Sequence, residues 1–373
     1  MKRPPLLVLV TSLALAHGPG ASAEVTDWAV VPATNGEMPP FMERVVADVT
    51  RELERHGRHV WPSDAAAARF QHRGSTAAVE ITEDALEKWD QHSRAAVRAL
   101  ARGNHATALN RLDRAELLSR GATEELNRDP ERAQRVLDTC LYRVRALLET
   151  NDAAGAESRA SECVVLVPRG QPATFMHPPQ VLALYQQARE HGLARAGSLV
   201  VESAPPGCRV RVNGVRLGET PLEITTLSVG EYGVQVECDR TRRGRVHSTK
   251  VGPGTTKRVV NARFDRTVRA EPILRLEYPK ERTSSWRVND AREIAELLPA
   301  HTAVVVSAPT VNTIAVGLVS RMGSRQGCGL IAATADGPSR EALAVAIRKL
   351  IDGRCGDLSA SSRDPAALFK PGI

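Results

Sequence analysis

Residues 197–238 read GSLVVESAPPGCRVRVNGVRLGETPLEITTLSVGEYGVQVEC, and the turns in this stretch decide how the chain around it is read. Leu199, Val200 and Val201 form a short apolar strand. Ala204, Pro205, Pro206 and Gly207 end it, because proline has no N–H to give to a ladder and glycine supplies the turn. Residues 209–212 alternate polar and apolar with period two, as a half-buried strand does. Asn213-Gly214 then fits a two-residue turn that needs positive φ at both central positions, so a hairpin is expected. Gly218, Thr220 and Pro221 interrupt the return strand. Gly230 opens a third alternating strand with Tyr232, Val234, Val236 and Cys238 on one face.

Taken in order, Pro206-Gly207-Cys208, Val210, Val212, Asn213-Gly214, Gly218-Glu219-Thr220-Pro221 and the run from Gly230 to Val234 resemble the PEGA domain. This is a small β-domain found mainly in bacterial and archaeal envelope proteins. The tetrapeptide that names the family reads Pro205-Pro206-Gly207-Cys208 here, a departure that adds a cysteine rather than new chemistry. The resemblance spans about residues 197–264, within a β-domain read over 196–264. It implies a β-module and an envelope location, and it brings no catalytic residues.

Export is also read from the first residues. Lys2 and Arg3 precede an apolar run over 6–16, and Ala21-Ser22-Ala23 places small residues where a signal peptidase reads them. The run is too short for the ~20 residues a membrane span needs. Residues 1–23 are therefore expected to be a cleaved leader, leaving an exported chain, periplasmic or at the cell surface, with no transmembrane segment. The formal net charge is +7, of which Lys2 and Arg3 supply two. Aromatic residues make up 3%, which argues against a base-stacking surface and against nucleic acid as a partner.

Six cysteines in an exported chain read as disulfides, and six allow 15 pairings. Keeping each pair inside one proposed unit favours Cys140 with Cys163, Cys208 with Cys238, and Cys328 with Cys355. Cys208 shares the parity of Val210 and Val212, and Cys238 that of Val234 and Val236, so both point to the apolar side of the module. If the chain reverses between helices at Asn151-Asp152, Cys140 and Cys163 lie at equal distances from the turn.

Working outward, residues 24–80 alternate strand and helix. Val45, Val46, Val49 and Leu53 recur at helical spacing, Gly57 stops that helix, and 59–61 reads as a second short strand, which suggests parallel pairing. His56, His59 and His72 lack the supporting ligands a metal site requires, and no cofactor is expected. Residues 81–195 read as helical. Gly103-Asn104-His105 with Ala108, Leu112 and Ala115, and Asn151-Asp152 with Ala156, Ala160, Cys163 and Pro168, resemble tetratricopeptide-type repeats, at an irregular spacing. Phe175 and Met176, in a proline-bounded loop, are expected to cap that stack. Residues 265–272 read as a polar linker, 273–355 as a C-terminal α/β unit, and 356–373 as a disordered tail.

The cluster Arg240, Arg242, Arg243, Arg245, Lys250, Lys257 and Arg258 could meet an anionic envelope polymer, although charged strand edges look the same. Gly327-Cys328-Gly329 is better read as half of a disulfide than as a nucleophile. No hydrolase elbow, zinc-protease helix or phosphate loop is found. The expected fold is α+β multidomain: a small N-terminal α/β unit, a helical repeat-like region, a PEGA-like β-module and a C-terminal α/β unit. The expected function is a non-catalytic, disulfide-stapled scaffold for an envelope protein or anionic envelope polymer. Two alternatives stay open: a ligand sensor or enzyme with its site between the two α/β units, and a component of a surface or secretion assembly.

Overall fold

The computed structural model describes residues 27–357, apart from 196, 240, 280–283, 311 and 323–324. The expected leader and most of the expected tail lie outside the described residues. The chain begins with β1 (Trp28–Asn35), α1 (Met42–Arg55) and α2 (Ser63–Arg73). Met42, Val45, Val46, Val49 and Leu53 form the buried face of α1, and Gly57 takes φ +73° just beyond its end. Val60 forms a single parallel bridge to Trp28, so the strand expected over 59–61 shrinks to one residue pair.

Next come α3 (Glu83–Ala101), α4 (His105–Ser119), the short α5 (Thr123–Leu126), α6 (Pro130–Glu149), α7 (Ala153–Leu166) and α8 (Pro179–Ala194). Side chains of Thr82, Asn104, Asp129 and Asp152 cap α3, α4, α6 and α7 by accepting from backbone N–H groups at 2.9–3.2 Å. Ala108, Ala115, Ala156 and Ala160 are fully buried where the helices meet, small enough to let backbones approach. Cys140 on α6 and Cys163 on α7 are bonded, with Cα atoms 5.8 Å apart, as the turn at Asn151-Asp152 implies. Phe175 does not cap this stack: it stands at the tip of the loop before α8 and is 87% exposed.

The β-module contains β2 (Gly197–Ala204), β3 (Arg209–Val212), β4 (Val215–Glu219), β5 (Leu222–Leu227), β6 (Gly230–Glu237), β7 (His247–Val251) and β8 (Gly254–Asn261). They form a three-stranded sheet, β5-β2-β8, and a four-stranded sheet, β4-β3-β6-β7. One core joins the two sheets: Leu199, Val201, Ile224 and Val260 from the first meet Val210, Val212, Val234 and Val236 from the second. Asn213 (φ +46°) and Gly214 (φ +84°) make the expected turn. Cys208 and Cys238 are bonded, Cα atoms 4.3 Å apart.

Then follow α9 (Ala262–Thr267), β9 (Val268–Arg269), β10 (Arg275–Tyr278), α10 (Ser284–Leu297), β11 (Thr302–Thr310), β12 (Thr313–Ser320), β13 (Arg325–Thr334), β14 (Gly337–Pro338), α11 (Arg340–Ile351) and β15 (Gly356–Asp357). The expected linker over 265–272 is instead built structure. Asp265, Thr267 and Val268 are buried, because α9 and β9 sit against the sheet and its α10 helix.

Both ends of the chain form a single sheet in the order β14-β13-β12-β11-β1-β10-β9, with β15 added on β13. This replaces the two separate α/β units of the sequence reading with one. β1 is its centre, parallel to β10 (Ala33 opposite Leu276) and to β11 (Val31 opposite Val305). It is apolar in both parities because both of its faces are covered. α2, α9 and α10 cover one face through Phe70, Phe264 and Ile294, and α1 and α11 cover the other through Val49 and Ile347. The helical array and the β-module are thus an insertion between β1 and its neighbours.

Cys328 lies within β13 rather than before it. Its side chain is outside the described residues, but the ladder sets Gly327 opposite Gly356 and Gln326 opposite Asp357. Cys355 is disulfide-bonded. Beyond Asp357 the expected tail also falls outside the described residues.

Candidate functional site: an arginine-lined cleft

The β-module is held by specific polar contacts. Asn127, 2% exposed, donates from one amide nitrogen to the carbonyls of Leu166 and Asn213, both at 2.9 Å. Asn213 in turn donates to the Val165 carbonyl at 2.8 Å and accepts from Gly233 N–H at 2.7 Å. Glu237, buried in β6, accepts from Arg128 at 2.7 Å and Arg211 at 3.2 Å. Arg243 grips Glu125 with two nitrogens, at 2.6 and 2.9 Å, and reaches Glu80 at 2.8 Å. That pair pushes the Arg243 guanidinium up, through its hydrogen bond to Glu125, and holds Glu125 low against its own burial. Arg245, buried over the Phe70 ring, donates to the hydroxyl and carbonyl of Ser75 at 2.7 and 2.6 Å.

These contacts leave a cleft where the module faces the terminal sheet. Two cavities, about 420 and 410 Å³, share Cys238, Arg242, Ala262, Arg266 and Arg269 as a common wall. The second is lined by four arginines, Arg242, Arg263, Arg266 and Arg269, against one carboxylate, Glu277. Arg242 lies in the loop between β6 and β7, is exposed, and makes no side-chain hydrogen bond or ion pair among the described residues. Arg266 approaches Asp239 at 3.4 Å, and Asp239 is itself engaged by the N–H and hydroxyl of Thr241, which hold its carboxyl low. Arg269 is fixed by carbonyls: its Nη1 donates to Arg266 at 3.0 Å and Val268 at 2.9 Å. Burial, with Arg275 and Arg242 adding and Glu277 opposing, holds its guanidinium below the ordinary value. An anion placed beside Arg269 would therefore be stabilised more strongly than one beside a fully hydrated arginine.

Apolar surface completes the wall. Pro205, Ala262, Tyr278 and Pro279 line the second cavity, next to the Cys208–Cys238 bond. Gly36, at the end of β1, donates its N–H to the Tyr278 carbonyl at the end of β10, at 2.8 Å. Asn35, just before it, has both amide atoms buried without a hydrogen-bond partner among the described residues. On another side of the module a groove of about 730 Å³ carries Glu124, Glu162 and Glu231. Burial raises the Glu124 carboxyl there, and an anion would be repelled.

The seven basic residues singled out from sequence do not come together. Arg240 lies outside the described residues. Arg242 reaches the cleft, Arg243 and Arg245 hold the module to its neighbours, and Lys257 pairs with Glu202 at 2.7 Å. Arg258 donates to the Thr249 hydroxyl at 3.0 Å and the Ser248 carbonyl at 2.8 Å, while Lys250 is exposed on β7. Strand alternation disperses them over different faces. Of the residues that do converge, Arg263 falls at the end of the stretch read as the β-module, and Arg266 and Arg269 inside the stretch read as a linker. Their three-residue spacing was the available signal. His56 pairs with Glu52 and His59 with Asp27, and no group of three potential ligands able to hold a metal ion occurs among the described residues. The strands of the two expected terminal α/β units share one sheet, so they are not two bodies with a cleft between them.

Comparison with known proteins agrees with part of this reading. The family model of the PEGA domain matches residues 196–240, which takes in β2 to β6. β7 and β8, beyond the match, complete the two sheets. No curated protein and no solved structure matches the chain.

Proposed function

We propose that this is an exported, non-catalytic binding scaffold of the cell envelope that holds an anionic partner in the arginine-lined cleft. The observation that carries this reading is the excess of cations in the second cavity, four arginines against one carboxylate. Two disulfides and a module related to envelope domains support an oxidising compartment. Among the described residues no helix is long and apolar enough to cross a membrane. The helical array, a tetratricopeptide-like stack in this reading, acts with the module as a rigid frame for the cleft. An anionic envelope polymer is the partner that charge favours, and an envelope protein with an acidic segment is the second.

The test is fractionation of the native host with disulfides preserved, followed by crosslinking and mass spectrometry. Recovery with the envelope, crosslinked through peptides containing Arg242 or Arg266, and release by salt would support the reading. Recovery as a free monomer without crosslinks, or crosslinks unaffected by an Arg242→Ala/Arg266→Ala variant, would sink it. A fixed stoichiometry with other proteins would point instead to an assembly component.

A further inference from the structure

The cleft has a place in the sheet that defines it more closely. β1 and β10 are parallel neighbours, and the second cavity lies at their carboxyl ends, between Gly36 and Tyr278. The helix that follows β1 packs on one face of the sheet, and the helix that follows β10 packs on the other. Such divergence opens a crevice at strand ends, where open parallel sheets place their ligands. The inserted chain then returns through α9 and β9 and lines this crevice with arginine.

We propose that the crevice binds a phosphomonoester carried on a carbon skeleton of about monosaccharide size, with Arg242, Arg266 and Arg269 around the phosphoryl oxygens. This rests on the anionic-partner reading above and narrows it. Charge is the first argument. A carboxylate carries one negative charge, a phosphomonoester close to two at neutral pH, and the four guanidinium groups of the wall exceed by two the carboxylates beside them, Glu277 and the Asp239 that lies 3.4 Å from Arg266. Geometry is the second. Guanidinium groups meet phosphoryl oxygens with N–H donors, and the two carbonyls on Arg269 Nη1, with Glu277 3.8 Å from its Nε, hold that guanidinium in place before any ligand arrives. Size is the third. About 410 Å³ falls in the range that houses a small organic ligand, more room than the phosphoryl group alone needs. Pro205, Ala262 and Pro279 offer the apolar wall for the remainder.

The ester could belong to a free sugar phosphate or to a phosphorylated sugar unit of an envelope polymer. Titration calorimetry on the full mature chain, disulfides intact and ionic strength fixed, would use glucose 6-phosphate, glucose and gluconate. A second arm would use a phosphorylated oligosaccharide before and after phosphatase treatment. Glucose 6-phosphate is expected to bind at least ~10-fold tighter than gluconate, the margin that one charge-assisted hydrogen bond gives. Its affinity should rise between pH 5 and 7 as the second phosphate proton leaves near pH ~6, a rise gluconate would not show. Arg242→Ala with Arg266→Ala should weaken it ~10- to 100-fold with an unchanged melting temperature, and Arg242→Lys with Arg266→Lys should restore part of the loss.

Tighter binding of the oligosaccharide, lost after phosphatase, assigns the ester to a polymer; tighter binding of glucose 6-phosphate assigns it to a free metabolite. Equal binding of glucose 6-phosphate and gluconate, or affinity unmoved in the alanine double variant, overturns the proposal. If the host's anionic polymer still binds through the arginines while neither phosphorylated probe does, the phosphomonoester fails and the broader reading stands. If nothing anionic binds, both fail.

Discussion

Asn127, at the end of α5, donates its side-chain amide to the backbone carbonyl of Asn213, 86 residues later, at 2.9 Å. The acceptor is the first residue of the hairpin turn in the β-module, so the turn serves as a docking element as well as a reversal. Asn127→Ala would leave two buried carbonyls, those of Leu166 and Asn213, without this donor. A loss of about 2 kcal/mol is expected from unsatisfied buried acceptors. Urea denaturation of Asn127→Ala against the parent reads the loss; an unchanged midpoint would mean that the contact contributes nothing.

Gly214 tests the same junction from its other side. Its φ is +84°, and a Cβ there would run into the backbone carbonyl of Glu124. Gly207 has a similar φ, +77°, with open space around it. Gly214→Ala should therefore destabilise by well over the ~1 kcal/mol that left-handed backbone alone costs, and Gly207→Ala by about that amount. Comparable melting temperatures for the two variants would argue that the turn does not press on α5.

The arginines around the cleft should divide into two classes. Arg245 is buried and satisfies Ser75 twice, so Arg245→Met is expected to cost roughly 2–3 kcal/mol. Arg242 is exposed and without a side-chain hydrogen bond or ion pair among the described residues, so Arg242→Ala should fall within about 0.5 kcal/mol of the parent. Chemical denaturation of both variants reads the difference. A destabilised Arg242 variant would show that this side chain holds the fold rather than a ligand.

Glu293 on α10 should make stability depend on pH. Its burial, opposed by a 2.8 Å hydrogen bond from Asn261 and reinforced by Asp290, Asp265 and Glu296, raises the carboxyl from 4.5 to about 7. The folded chain thus binds this proton more tightly than the unfolded one. Its contribution is full below pH 4.5, declines as pH rises toward about 7, and is level above that. Allowing for partial exposure, the decline is about 2 kcal/mol. Urea midpoints between pH 4.5 and 8 should slope downward in the parent and flatten in Glu293→Gln; the same slope in both would assign the dependence elsewhere.

Two of the disulfides close short loops, Cys140–Cys163 at a sequence separation of 23 and Cys208–Cys238 at 30. Loop entropy predicts a cost of ~3 kcal/mol for removing either one. Cys208→Ala with Cys238→Ala should also loosen the cleft wall and weaken anion binding, whereas Cys140→Ala with Cys163→Ala should affect stability alone. Equal effects of the two pairs on binding would detach the cleft from the module.

Much of the module could be read from its turns because Asn213-Gly214 and Pro205-Pro206-Gly207 constrain the backbone locally. The helices were legible for a related reason: apolar spacing and the caps at Asn104 and Asp152 are short-range signals. The shared sheet was not. Parallel pairing of Val31 with Val305 leaves no local mark, and an apolar strand such as β1 looks the same beside any partner. α9 and β9, at six and two residues, are too short to show a period, so Arg266 and Arg269 read as linker residues in the sequence. The basic cluster misled because charge alone does not distinguish Arg242, which faces the cleft, from Arg245, which is buried beneath the module.

The position of β1 has a consequence for how the protein is made. β1 is synthesised before both strands that flank it, which arrive only after the helical array and the β-module. Until then its two apolar edges are open to pairing with other chains. The inserted region must therefore fold on its own while the first strand waits, and the last step of assembly joins the two ends of the chain. Such long-range closure is slow. Loss of the chain beyond Asn261 would strip β1 of both its partners, so a truncated product should be aggregation-prone even with all seven strands of its β-module present.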